Sequence, residues 1–240
     1  MKNIFKGFAL AISMMTTIPF FKVHDFNKGI NGYAVMFYPL VGFILGIILY
    51  GTHSLLDGHI PQMHLGIIIF ILWVILTGAL HLDGFSDTVD GLFISKENAI
   101  EVMKDPNIGG MGMIFTATFL ILKASTLAVF EVFYLLPIVL LLSRFNAVLA
   151  IYMLPYISKS GMGTLAKAEL KKSQVIIALI YVAFISISTP ALFALSLLVL
   201  FVIQTFFIKR YGGFSGDIYG FSIEVTELVL LNAILLGIAS

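Results

Sequence analysis

The chain reads as an all-α polytopic membrane protein with about seven transmembrane helices, six being the lower count. Its N-terminus is expected on the cytoplasmic side, behind a short amphipathic N-terminal segment. Three observations predict this. Hydrophobic residues fill 60% of the 240 positions and charged residues only 11%, with a mean hydropathy of +1.05. A soluble domain carries about twice that share of charge. Lipid is therefore the expected solvent, and in lipid a chain must satisfy its backbone polar groups internally. Apolar runs of spanning length recur along the sequence, and the basic residues alternate with them. The length suits one integral membrane catalytic domain, residues 1–240, without a second soluble domain. A net charge of +1 gives no electrostatic case for nucleic acid, and the lack of cysteine excludes disulfides and thiolate ligands.

The stretch Met1–Phe21 has Lys2 and Lys6 ahead of an apolar run, like a signal peptide. Thr16, Thr17 and Pro19 break that run and no small-residue cleavage site follows, so it reads as a retained amphipathic or re-entrant segment. Seven apolar segments follow, at Tyr33–Thr52, His64–Leu80, Met111–Phe130, Tyr134–Leu154, Val175–Ser188, Ala191–Ile208 and Val225–Ile238. The fifth and sixth come from one overlong run divided at Thr189-Pro190, which leaves the fifth short enough for a tilted helix or a half-span.

Lys2, Lys6, Lys22 and Lys28 precede the first segment, and Lys96 and Lys104 lie between the second and third. Lys159, Lys167, Lys171 and Lys172 lie between the fourth and fifth, and Lys209 and Arg210 between the sixth and seventh. The alternate connections hold no Lys or Arg. Of 14 basic residues, all but Lys123 and Arg144 therefore fall on one side, which predicts an N-in, C-out chain; the membrane expected is a prokaryotic inner one. Most acids gather on that same side, Asp25 included, while Asp57 and Glu131 fall opposite.

The stretch His81-Leu82-Asp83-Gly84-Phe85-Ser86-Asp87-Thr88-Val89-Asp90-Gly91 is the most informative. On a helix, Asp83, Asp87 and Asp90 at i, i+4 and i+7 share an arc of about 60°. Three adjacent anions repel unless a cation sits among them, and hard oxygen ligands suit Mg²⁺ or Mn²⁺ completed by substrate phosphates. A solvated acidic loop is the plainer reading; the flanking glycines and interleaved apolar residues weigh against it. His81 is either a polar anchor at the interface or part of the same site.

A second constellation runs from Gly212 through Gly216-Asp217-Ile218-Tyr219-Gly220 to Glu224 and Glu227. Its glycines would let backbone N–H groups approach a phosphate, or they form a flexible cap to a helix. Between the two lies Glu97–Gly112, where Pro106 ends an amphipathic turn; Lys104 and Asp105 stand there as rim candidates. Lys123 and Arg144 fall close to mid-span, where an ionisable group faces a counter-ion or a polar cavity. Asn146 and Glu131 are the near partners in sequence, and an anionic substrate is the other reading. The lysines around Gly161 and Gly163 read as a topological anchor.

The His81–Leu92 stretch resembles the signature of the cobalamin synthase family, adenosylcobinamide-GDP ribazoletransferases. Tyr38-Pro39-Leu40-Val41-Gly42, Met103-Lys104-Asp105 with Ile108-Gly109, and Gly216–Gly220 agree with that family in order and spacing. The chain departs from it at Thr16-Thr17-Ile18-Pro19, where the family shows Thr-Arg-Ile-Pro, and at Asn107, where it carries Arg. The resemblance implies an Mg²⁺-dependent enzyme that joins adenosylcobinamide-GDP to α-ribazole or its 5′-phosphate and releases GMP. On this reading Asp83, Asp87 and Asp90 hold metal. Asp217, Glu224 and Lys104 complete the catalytic set, and His81, Asp105, Lys123, Arg144 and Gly216 contact substrate. The partners expected are these small molecules and the lipid bilayer, with room for a homo-oligomer. CDP-alcohol phosphotransferases are the alternative, but their signature has an Ala-Arg pair after Asp-Gly, where Phe85-Ser86 stands here.

Overall fold

The computed structural model describes residues 2–18, 29–105, 107–158 and 162–238. Pro19, Lys22, Asp25, Lys28, Pro106, Lys159 and Gly161 of the sequence reading lie outside the described residues. The N-terminal segment is a helix, α1 (Lys2–Met15), that packs Ala9, Leu10, Ala11, Ile12 and Met15 inward. It lies against α2 (Ile30–Leu56). Next come α3 (Gln62–Thr77), α4 (Leu80–Leu92), the short α5 (Lys96–Val102) and α6 (Gly110–Ala128). A 3₁₀ turn at Phe133–Leu135 leads into α7 (Leu136–Met153), followed by α8 (Met162–Glu169) and α9 (Lys172–Ile185). Then come α10 (Pro190–Tyr211) and α11 (Gly216–Leu235).

Each of the seven apolar segments is helical. By length and composition α2, α6, α7 with its leading turn, α10 and α11 can each cross a membrane, and α3 with α4 makes a sixth, bent span. At 14 residues α9 is shorter than a span. The chain is thus an all-α, multi-pass membrane protein. Buried along most of its length, α7 is the centre of the bundle, packed by α2, α8, α9, α10 and α11. By contrast α10 leaves Leu198, Phe201, Val202 and Phe206 exposed, as a lipid-facing helix does.

Two segment limits shift. The second segment, drawn to Leu80, stops at Thr77 because Gly78 (φ 60°) and Ala79 (φ 55°) both take the left-handed conformation. That pair turns the chain by 85° into α4. Thr17 braces the turn: its N–H donates to Leu76 O (2.8 Å) and its hydroxyl to Ile75 O (2.9 Å). The last segment starts earlier than Val225, at Gly216, so half of the glycine-rich stretch is helical.

Candidate active site

The bend at Gly78-Ala79 aims α4 so that its first residues meet the start of α11. The helices cross backbone to backbone. A Cβ on Gly84 would stand 2.9 Å from the carbonyl oxygen of Asp217, and one on Gly220 would stand 3.1 Å from that of His81. Only glycine permits this approach. The two acidic motifs, far apart in sequence, therefore share one place. Ser215 caps α11: its Oγ accepts from Ile218 N (3.3 Å) and donates to Asp217 Oδ2 (3.2 Å).

The three aspartates of α4 differ in surroundings. Asp83 is exposed and Asp87 half-buried, and Asp87 lies within the electrostatic reach of Asp83, Asp217 and Asp90. Asp217 feels Asp83 and the opposing charge of Lys104. Asp90 is buried, with Oδ2 accepting from Gly109 N (2.8 Å) and Oδ1 from Gly112 N (2.7 Å). It caps the N-terminus of α6, where a carboxylate complements the helix dipole. Among the described residues no three His, Asp or Glu side chains form a preformed metal cage. Hard carboxylate oxygens are the ligand type of Mg²⁺ sites completed by substrate phosphates, and Asp83, Asp87 and Asp217 are the residues that would offer them.

His81, Asp83, Gly84, Lys104, Gly216 and Asp217 all line a cavity of about 410 Å³. His81 is 4% exposed, and among the described residues neither ring nitrogen has a hydrogen-bond partner. Asp105 stands outside the cavity. Its Oδ1 accepts from Asn107 N (2.9 Å) and Nδ2 (2.7 Å), and these bonds hold its carboxyl below the usual carboxylate range. Asn107, the departure from the family pattern, thus serves that turn. A second, apolar groove of about 570 Å³ between α3, α4 and α6 reaches Asp83 from the other side.

Lys123, Arg144 and Glu224 form a separate, deeper cluster. Lys123 Nζ donates to Glu224 Oε2 (2.7 Å) and Glu227 Oε2 (2.6 Å) and sits 4.2 Å from the Trp73 ring centre. Arg144 Nη1 pairs with Glu227 Oε1 and donates to Ser143 Oγ (2.9 Å). Neither near partner in sequence is used. Glu131 lies beyond the end of α6 and Lys123 turns instead to α11, while Asn146 donates to Ser196 O and Thr226 Oγ1. None of these four charged side chains lines the cavity.

Several cavity residues carried no signal in the sequence. Tyr156, Met14, Met15 and Met162 are apolar or aromatic positions in a chain full of them, whereas Tyr38 opens the Tyr38–Gly42 motif. Tyr219 stood inside the recognised glycine motif, two residues after Asp217, where the period of a helix start would have brought it close.

The profile of the cobalamin-5-phosphate synthase family matches residues 7–235. An adenosylcobinamide-GDP ribazoletransferase of Desulforamulus reducens is 33% identical, covering 98% of each chain. The protein of the same name from Treponema denticola is 31% identical over 95% of this chain and 96% of its own. The one from Thermosynechococcus vestitus is 34% identical over 84% and 86%. No solved structure matches. The match over almost its whole length, with both acidic motifs at one cavity, shows that the chain belongs to the cobalamin-5-phosphate synthase family.

Proposed function

We propose that the chain joins adenosylcobinamide-GDP to α-ribazole, or its 5′-phosphate, giving adenosylcobalamin, or its 5′-phosphate, and GMP. The observation that carries this reading is the meeting of the His81–Gly91 and Gly216–Gly220 motifs at one cavity, in a chain whose relatives bear the name of that reaction. A hydroxyl oxygen of the acceptor attacks the cobinamide-linked phosphorus. The bond from that phosphorus to GMP breaks, GMP leaves with the electron pair, and the hydroxyl proton passes to a carboxylate or to water.

Asp83 and Asp87, with Asp217, would hold Mg²⁺, which supplies charge neutralisation at the donor's diphosphate. Asp217, set at the first turn of α11, orients the attacking hydroxyl. Lys104 at the rim offsets charge on the transferred group or on GMP. Asp90 acts by fixing α6 against α4, and Lys123, Arg144, Glu224 and Glu227 by tying α6, α7 and α11 together. The distribution of basic residues supports a cavity at the cytoplasmic face of the inner membrane, where the nucleotide substrates are.

The test uses purified protein in detergent with adenosylcobinamide-GDP, each acceptor form and Mg²⁺, following GMP and cobalamin. Product is expected, and is expected to vanish with chelator and in Asp83→Asn. Well-folded protein that makes no product with either acceptor would overturn the proposal.

A further inference from the structure

We infer that the 410 Å³ cavity is the acceptor subsite, taking α-ribazole base-first, while the corrinoid donor reaches it only with its diphosphate. This rests on the proposed reaction and says which substrate occupies the recess. Size is the first ground. Pockets enclosing one small ligand run to roughly 300–1,000 Å³, and this one is at the low end. A nucleoside fits such a space. A corrin ring with its amide arms, adenosyl ligand and guanosine diphosphate is several times bulkier and does not.

The second ground is the chemistry of the walls. Away from the carboxylates the lining is Met14, Met15, Met103 and Met162 with Tyr38 and Tyr156. Thioethers pack well on flat aromatic rings, and a dimethylated benzimidazole is such a ring, with no exocyclic polar group to desolvate. A corrin periphery, rich in amides, would leave polar groups unpaired there.

The third ground is independent of shape. His81 and Tyr219 stand in the wall of this cavity, and their polar atoms (Nδ1 and Nε2 of His81, Oη of Tyr219) are buried and among the described residues have no hydrogen-bond partner. Buried polar groups are normally paired. The benzimidazole of α-ribazole offers one ring nitrogen as acceptor, and its ribose offers hydroxyls, so the ligand brings what these atoms lack once a side-chain rotation turns them to the cavity surface. The polar end of the same recess holds Asp83, Asp217 and Lys104. A base-first nucleoside therefore presents its ribose hydroxyls to the place where the donor's phosphorus must arrive.

The test labels the methionine methyls with ¹³C and adds each substrate alone to the full-length protein in detergent. Signals are assigned by single Met→Leu variants. α-Ribazole is expected to shift Met14, Met103 and Met162 by its ring current and to leave Met63 and Met113 unmoved, while adenosylcobinamide-GDP leaves the first set in place. In turnover, Ala166→Leu, which narrows the cavity, is expected to raise KM for α-ribazole at least tenfold and KM for the donor less than twofold. Shifts of the cavity methionines by the donor alone, or a rise confined to the donor's KM, would overturn the assignment with the reaction intact. Wild-type protein showing neither turnover nor shifts with either compound would remove the proposed reaction, and the assignment with it.

Discussion

Replacing Lys123 by Met tests the deep charge cluster. Lys123 and Arg144 face Glu224 and Glu227, two charges of each sign, and each of the four is at most 3% exposed. Inserted singly, such groups cost roughly 2.5–3.5 kcal/mol each at mid-membrane, so pairing is what makes the cluster tolerable. Without Lys123, Glu224 loses the side chain that donates to it, and Glu227 keeps Arg144 and the Ser143 hydroxyl. Breaking a buried pair on one side costs about 3–5 kcal/mol. Loss of the cation over Trp73, 4.2 Å away, contributes up to about 2 kcal/mol more. Adding Glu224→Gln restores neutrality and leaves Arg144 with Glu227 intact, so the double variant should recover part of the loss, with a coupling of roughly 0.5–3 kcal/mol. The assay is SDS-induced unfolding in mixed micelles, with turnover measured on the folded fraction. Lys123→Met should fall well below the wild type in stability while the folded fraction keeps its KM values. A cost under about 1 kcal/mol, or strictly additive single variants, would refute the account of the cluster as a tie between α6, α7 and α11.

The α4 aspartates should separate by phenotype. Asp83→Asn should cut GMP release at least a hundredfold with an unchanged unfolding midpoint, whereas Asp90→Asn should lose about 1–3 kcal/mol by weakening the cap of α6. A Cβ on Gly112 would collide with the Asp90 carboxylate, so Gly112→Ala should resemble Asp90→Asn in SDS unfolding. Gly78→Ala places a Cβ at a left-handed position, 2.9 Å from Thr17 Cγ2, and should cost about 1–2 kcal/mol and lower turnover by re-aiming α4. Glu169 lies in a loop-side position where desolvation pushes its carboxyl up. Hydrogen bonds from Gly29, Asn31 and Gly32 outweigh this and hold it below the ordinary 4.5. Its folded value being depressed, its contribution is present above about pH 4.5 and is lost as pH falls through the lowered value. Glu169→Gln should therefore flatten stability against pH in that acid window, and an unchanged profile would count against the Asn31–Glu169 contact.

Periodicity and charge were enough to read the helices and the gathering of acids, because both are local properties. The bend was not readable in the same way. Gly78-Ala79 looks like a mild interruption in an apolar run, and the left-handed conformation of Ala79 depends on tertiary support, including Thr17 from α1. Spacing likewise put Asp83 and Asp90 on one face with equal standing. What divides them is the arrival of Gly109 and Gly112 beside Asp90, and no pattern within α4 encodes that. Proximity in sequence also misdirected Lys123 towards Glu131, when its partners lie 101 and 104 residues away on α11.

In a chain with so few charges, pairing sorts structure from chemistry. Lys123, Arg144, Glu224 and Glu227 are spent on one another inside the bundle, and Asp90 on two backbone amides. Asp83, Asp217 and Lys104 instead reach the cavity, with Asp87 in electrostatic contact beside them. Asp83 and Asp217 also stand in the first turns of α4 and α11, whose N-terminal dipoles favour negative charge there. Two helix starts therefore hold these carboxylates steady without neutralising them. Had α3 run straight through the membrane, Asp83 would have stood mid-helix, away from the Gly216–Gly220 turn. The break at Gly78-Ala79 is thus what converts a spanning segment into a helix start, and a helix start is what brings the two acidic motifs to one cavity.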